Sequence, residues 1–461
     1  MGLENVITTT AKAINMTQCN TDAMRFTGQG RRRVEADFAG GRLVSDAGLL
    51  TLREVDRRTG LTAALADGLS DPRQPAKIRH ENATMLAQRI CAIAAGYEDG
   101  NDHHTLRTDP MLQLCAGVDP VDGATLASPS TLCRLDNRIT RRDCVAMHAV
   151  LVDRFIASMD QPPEQLILDF DATDDPVHGQ QEGRFFHGYY DHYCYLPLYV
   201  FCGDELLCAY LRPSNIDPSK HARAILKLLV GRIRRTWPQT RVIFRGDSGF
   251  CRWKLMRWCD RHDVGYIIGL ARNRRLEAIS ESFMHDAETA FEHSGQKQRH
   301  FHAITYAAQT WDRPRTVIVK AERLHEGPNL RFIVTNLEGP AQHVYDRLYC
   351  ARGEMENRIK EQQLGLFADR TSSSTMLANQ FRLLLSSAAY VLIQTLRRTA
   401  LAGTELATAQ VSTIRTKLIK IAARVIVSAR RVVLHLSSSC PLQPLLRQLA
   451  HRLATLHFDT A

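Results

Sequence analysis

Leu166-Ile-Leu-Asp169-Phe-Asp171-Ala-Thr-Asp-Asp-Pro-Val-His178 is an apolar run that breaks abruptly into carboxylates. Leu166, Ile167, Leu168 and Phe170 have the composition of a buried strand, and Pro176 with Gly179 marks a turn after it. Strand alternation puts Asp169 and Asp171 on one face, so a polar face is expected to open onto a site. Asp174 and Asp175 are expected to cap the turn. Asp171, close to Thr173, is the candidate functional acid.

Two further carboxylates stand in comparable settings. Arg241-Val-Ile-Phe-Arg-Gly-Asp247-Ser-Gly-Phe250 is a short apolar strand ending in an acid, followed by a helical pattern from Cys251 to His262. Ligands of open α/β sheets bind at the carboxyl ends of strands, so Asp171 and Asp247 are placed to meet across one crevice. Downstream, Tyr349-Cys-Ala-Arg352-Gly-Glu-Met-Glu356-Asn-Arg-Ile-Lys360 reads as helical. Steps of three and four put Tyr349, Arg352, Glu356 and Lys360 on one stripe, as a site or as an ordinary solvated face. The same count turns Glu354 and Glu361 to the opposite, solvent side.

Taken in order, these three segments resemble the signatures of the Asp-Asp-Glu (DDE) transposases of bacterial insertion sequences, closest to the group typified by insertion sequence 1380. The resemblance extends over nearly the whole chain, including Gly96-Tyr-Glu-Asp-Gly-Asn-Asp-His103 and Ser412-Thr-Ile-Arg415. It implies that Asp171, Asp247 and Glu356 are the catalytic, metal-holding acids, and that Tyr349, Arg352 and Lys360 contact DNA phosphates. It implies nicking by hydrolysis and joining of the freed 3′-hydroxyl ends to target DNA. The partners would be double-stranded DNA, as terminal inverted repeats and target, with a homodimer in the DNA complex. The wider family's third motif ends in a lysine separated from the glutamate by six residues, and this chain has Gln363 there; Lys360 lies one helical turn after Glu356.

Three carboxylates without histidine or thiol partners favour a hard cation, so Mg²⁺ or Mn²⁺, as two ions, is the expected cofactor. A metal-dependent nuclease that cuts without joining, or a non-catalytic DNA-binding protein derived from a transposase, are the competing functions.

Composition bounds the rest. The chain has 461 residues, 44% of them hydrophobic, enough for two or three domains and a substantial core. Fifty-nine Lys and Arg against 49 Asp and Glu give a net charge of +10, which favours a polyanionic partner. Ten Lys or Arg against two acids follow from Arg397 onward, so Arg415, Lys420 and Arg424 are candidate DNA contacts. The twelve cysteines show no C-x-x-C pairing and read as reduced thiols. No signal peptide opens the chain and no apolar run approaches the ~20 residues a bilayer requires, so a cytoplasmic protein without membrane contact is expected.

The expected architecture is α/β, a ribonuclease H-like catalytic core with a β-rich insertion and helical flanks. Residues 1–25 form a mobile lead. Residues 26–160 form a helical N-terminal domain, in which two helices flank Gly60 as either a helix-turn-helix DNA reader or a packed helical hairpin. Another helical stretch runs over residues 131–159. Adjacent His103 and His104 cannot share a metal and belong to turn chemistry. Residues 161–270 form the first part of the core. It has an antiparallel three-stranded start, tyrosines that are strand residues or base-stacking groups, and a crossover helix burying Ile225, Leu228, Leu229 and Ile233. Residues 271–345 form the insertion, and 346–400 the second part of the core with the Glu356 helix. Residues 401–461 form a basic helical C-terminal region, with a long amphipathic helix or helix pair over residues 412–436.

Overall fold

The computed structural model describes residues 23–120 and 125–455. The lead expected over residues 1–25 lies outside the described residues up to position 22, and Met24 and Arg25 already belong to a strand. The N-terminal region opens on a hairpin of β1 (Met24–Gln29) and β2 (Arg32–Ala36) and a short β3 (Leu43–Val44), where helix was expected. Helices α1 (Leu49–Thr59) and α2 (Leu61–Asp67) follow, separated at Gly60 in the left-handed region (φ 62°), which glycine enters without a Cβ clash. Leu49, Leu52, Val55, Leu61 and Leu65 are all buried, so both helices pack into the core.

Next come α3 (Asn82–Ala95), α4 (His103–Leu106) and α5 (Pro110–Cys115), the last capped by Asp109, which accepts from Met111 N and Leu112 N. His103 is buried against Gln88 while His104 is exposed, so the two rings diverge as expected. The helical stretch expected over 131–159 is two helices, α6 (Pro129–Arg138) and α7 (Arg141–Ala157). Thr140 and Asp143 form a capping box that starts the second.

The sheet begins with β4 (Gln165–Ala172). Short strands β5 (Asp175–Pro176), β6 (Phe185–His187) and β7 (His192–Tyr195) form a small sheet of order β5-β7-β6, and the chain runs on into β8 (Leu198–Cys202) and β9 (Glu205–Tyr210). β4, β8 and β9 are antiparallel neighbours, with Asp171 opposite Tyr199. Helix α8 (Ala222–Thr236) then crosses to β10 (Arg241–Gly246), parallel to β4, and α9 (Trp253–Arg261) crosses to β11 (Val264–Leu270), parallel to β10. Of the four apolar residues expected inside α8, Leu228 faces solvent; Leu226 and Val230 join Leu229 and Ile233 in the core instead.

Residues 271–345, expected as a β-rich insertion, hold helices as well as strands. They carry α10 (Arg274–Ile279) and α11 (Glu281–Ser294), then β12 (Gln298–Tyr306), β13 (Arg315–Leu324) and β14 (Gly327–Thr335). These strands extend the same sheet, whose order is β12-β13-β14-β11-β10-β4-β8-β9. β14 pairs antiparallel with β11 and satisfies the edge that β11 would otherwise expose.

A helical segment then lies across one face of the sheet. It starts as α12 (Ala341–His343), widens to a π-turn at 344–349, tightens to 3₁₀ at 350–352, becomes α13 (Gly353–Lys360) and widens again at 361–365. Helix α14 (Met376–Arg398) is long and apolar enough to cross a membrane, against expectation, but most of it is buried between α3, α7 and β9.

The basic helix expected over 412–436 is mostly absent. After α15 (Val411–Ile414) and a π-turn at 415–419, the chain forms a hairpin of β15 (Ala423–Ser428) and β16 (Arg431–Leu436), then α16 (Gln443–Thr455). β15 pairs with β3, which joins the two ends of the described chain into one helical body. A Cβ on Gly48 would lie 1.7 Å from Leu418 O, so only glycine allows α1 to start against this turn.

Candidate active site

Strand β4 separates its two faces by chemistry. Leu166, Leu168 and Phe170 face α8 and α9 in a core shared with Val242, Phe244 and Phe250. Ile167, Asp169 and Asp171 point to the other face, where Ile167 packs against Ile243, Ile267 and Tyr345 beneath the 341–365 helix. The parallel register sets Arg245 beside Asp169. Two residues further on, Asp247 just past the end of β10 comes near Asp171, whose carboxyl feels its charge. Both acids therefore stand at strand ends on one face, as the sequence led us to expect.

Asp169 is not part of the opening. It forms a buried, two-pronged ion pair with Arg245, with Nη2 2.7 Å from Oδ2 and Nε on Oδ1. Arg245 Nη1 also donates to Leu348 O, so the pair ties two strands to the overlying helix. Burial raises the Asp169 carboxyl, against the pull of Arg245.

Asp171 is more open, with Oδ1 accepting from Ala172 N at 3.0 Å and Oδ2 facing Arg352 Nη1 at 3.4 Å. Its carboxyl is pushed up to about 6, first by burial and then by the charges of Asp247 and Glu356, while Arg352 opposes the rise. Asp247 Oδ1 accepts from Gly249 N at 2.9 Å and caps the turn into α9. Burial works against the Arg352 charge, but Asp171, Asp247, Tyr349 and Asp169 outweigh it and raise its pKa. Tyr349 reaches the same place: a Cβ on Gly269 would lie 2.7 Å from its hydroxyl and 2.8 Å from Ser248 N. Only glycine in β11 leaves room for that phenol. Beside these groups lies a polar cleft of about 560 Å³, lined by Asp247, Ser248, Arg272, Asn329, Arg331 and Tyr349 among others.

Glu356 stands apart. Its side chain is 64% exposed and pairs with Lys360 at 2.7 Å, and that hydrogen bond holds its carboxyl low. Among the described residues, no three His, Cys, Asp or Glu side chains are close enough to hold a metal ion. The structure thus brings Asp171, Asp247, Arg352 and Tyr349 together, and leaves Glu356 and Lys360 paired at the rim.

Glu361 does not face solvent as expected. It is buried against Arg397, with Oε2 3.1 Å from Nη1, and its Oε1 accepts from Val411 N at 2.6 Å. Glu354 and Glu361 lie two α-turns apart on one side of α13, but the two ends of that side meet different surroundings: Glu354 is exposed, whereas Arg397 of α14 and Val411 at the start of α15 cover Glu361. Gln363, at the family's lysine position, donates to Asp175 Oδ1 at 2.7 Å and Asp174 O at 3.0 Å. Asp175 is fully buried, its carboxyl driven far up by burial, and Asp174 bonds His192 at 2.8 Å. Neither acid caps the turn as expected.

Two of the three expected C-terminal DNA contacts are engaged inside the protein. Arg415 donates to Ala94 O at 2.9 Å, to Ile93 O at 3.3 Å and to Gly365 O, closing the C-terminus of α3. Lys420 pairs with Asp46 at 2.8 Å and lies 4.3 Å over the Tyr97 ring. Gly96-Tyr97 and the segment ending in Arg415 therefore meet at one structural junction. Arg424 is exposed on β15, and Lys420 is exposed as well despite its pairing with Asp46. The Asp169–Arg245 tie escaped notice in the sequence, although aligning the two strand-end acids already sets these residues side by side.

Strand-end acids served by an arginine and a tyrosine define a polar, phosphate-compatible site on a mixed α/β sheet. The family described as Transposase DDE domain group 1 matches residues 26–458, and the chain belongs to it. Among solved structures, the cryo-EM structure of a piggyBac transposase synaptic complex with hairpin DNA is similar over 82% of this chain and 80% of that one, at 9% identity and a TM-score of 0.40. No curated protein matches.

Proposed function

We propose that the protein is the transposase of a bacterial insertion sequence of the group typified by insertion sequence 1380. In this reading it acts in the cytoplasm as a homodimer on element ends, nicks DNA by metal-dependent hydrolysis and joins the 3′-hydroxyl ends to target DNA. The observation that carries it is the placement of Asp171 and Asp247 at the ends of parallel neighbours, with Arg352 3.4 Å from Asp171 and coupled to the charges of both acids. The strand order β9-β8-β4-β10-β11, with crossover helices before β10 and β11, supports a ribonuclease H-like core.

The donor set fits Mg²⁺ or Mn²⁺: both acids offer hard oxygen ligands, and Asp171 sits where burial and like charge leave its carboxylate short of positive charge. Asp171 and Asp247 would hold the metal, and Glu356 would join them by exchanging Lys360. When bound, such ions activate the attacking water or hydroxyl and stabilise the leaving oxygen. Arg352 would grip non-bridging phosphate oxygens with its planar fork. Tyr349 would donate its hydroxyl to the same group, and the Asp169–Arg245 tie would keep both aligned.

Incubation of labelled element ends with Mg²⁺ and a target plasmid, read on a sequencing gel, tests this. Nicked and joined products are expected, and both are lost in Asp247→Asn. Nicking without joining would favour a nuclease, and binding without nicking a non-catalytic DNA-binding protein.

A further inference from the structure

The β6–β7 hairpin stands beyond the end of β4, because β7 leads directly into β8, whose Tyr199 lies opposite Asp171. Within nine residues it exposes Phe185, Phe186, Tyr189 and Tyr193, with Tyr189 85% exposed. Clustered aromatic surface of this kind marks a contact site on a soluble chain. The hairpin is well anchored: Ser214 Oγ donates to Phe185 O at 2.9 Å, Tyr195 Oη to Glu182 O at 2.6 Å, and β7 pairs with β5. Phe186 and Tyr193 meet edge to face at 5.7 Å, and the Arg184 guanidinium lies 4.3 Å over the Tyr193 ring. Tyr190, on the inner side, feels the site: burial first, then the charges of Asp174 and Asp171, push its phenol up to about 12.

We propose that this hairpin is a stacking platform for unpaired nucleobases of the DNA strand engaged at Asp171. The inference rests on the function proposed above. Exposed rings stack on base faces with little regard to sequence, and an arginine beside them adds cation–π and phosphate attraction. Paired DNA hides its base faces, so the platform selects strands that are frayed or single. Charge favours this occupant over a second copy of the chain, because the positive Arg184 lies on the aromatic patch itself and the chain carries a net +10.

The test uses the full-length protein, a fluorescein-labelled 20-nucleotide oligo(dT) and the matching dA·dT duplex, read by fluorescence anisotropy. Tyr189→Ala and Phe186→Ala are each expected to weaken oligo(dT) binding about 10-fold or more and to leave duplex binding within about two-fold. Tyr189→Phe, which keeps the ring, should bind as the parent does. Unchanged oligo(dT) affinity, equal losses on both probes, or a change of oligomeric state on size-exclusion chromatography would overturn the proposal. Metal-dependent nicking of a supercoiled plasmid by the parent, and its loss in Asp247→Asn, is measured in parallel. Failure there removes the proposed function while the anisotropy still decides the platform.

Discussion

Replacing Asp171 by Asn is expected to stabilise the metal-free protein at neutral pH while abolishing its chemistry. The side chain is only 17% exposed, and its carboxyl is pushed from an ordinary value near 3.8 up to about 6 by burial, Asp247 and Glu356. An acid whose pKa is raised by folding binds more protons in the native than in the unfolded state between those values. Stability is therefore lost as pH rises from about 4 to about 6, and stays lost above. Two pKa units correspond to about 3 kcal/mol. Asparagine keeps the shape and never ionises, so at pH 8 Asp171→Asn should exceed the parent by up to about 3 kcal/mol, shrinking to about 1 kcal/mol at pH 4.5. With an unfolding entropy of about 2.1 cal/mol/K per residue, the gain is about 3 °C in Tm. Differential scanning fluorimetry in EDTA at the two pH values measures it, and Mn²⁺ should then raise the parent's Tm more than the variant's. A variant less stable than the parent at pH 8, or a difference that does not shrink at pH 4.5, would refute the argument that Asp171 is held under electrostatic pressure.

Glu356→Gln should eliminate metal-dependent cleavage in the gel assay, whereas exposed Glu354→Gln should cleave within a few-fold of the parent; the reverse pattern would misplace the third acid. Asp169→Asn leaves Arg245 buried with half its partner and should cost about 3–5 kcal/mol in urea unfolding. Glu361→Gln should likewise destabilise, by about 2–4 kcal/mol, because Arg397 loses its buried counter-charge. Arg424→Ala should flatten the log–log salt dependence of DNA affinity by about 0.9 without changing Tm. Arg415→Ala should lower Tm, since three backbone carbonyls lose their donor.

The strands that carry the acids were legible because alternation is strict there: apolar residues at 166, 168 and 170 against acids at 169 and 171 leave one arrangement. The crossover helices were legible for the same reason in their own period. Pairing partners were not. The alternation in β12–β14 gives faces, not neighbours, so nothing in residues 271–345 told that these strands complete the edge of β11. At 412–436 a long amphipathic basic helix or helix pair was expected, but the β-branched runs Val425-Ile-Val427 and Val432-Val433 on either side of Ser428 were the stronger signal. Basic residues were counted as charge available to DNA, while Arg415 and Lys420 answer to carbonyls and a carboxylate of the N-terminal helices. Glu361 shows the limit of a periodic count: it gives the side of the helix but not what covers that side, and Arg397 with the start of α15 buries Glu361 while Glu354, two turns back, stays exposed.

The helical body is assembled from chain segments that are far apart in sequence. Helix α3 packs against α14, and roughly 280 residues separate Ala95 from Met376. At about 5–20 residues per second, a ribosome needs about 14–56 s to deliver the partner after α3 emerges. During that interval the face of α3 that packs on α14 has no native cover, although α1, α2 and α5 already flank the helix. The sheet between the two halves can complete its pairing meanwhile, so the nascent chain carries a formed sheet beside an open helical half. Chaperone demand should therefore concentrate on the first hundred residues, and pulse-labelled chains stalled before Met376 should bind a holdase that chains stalled after Arg398 release.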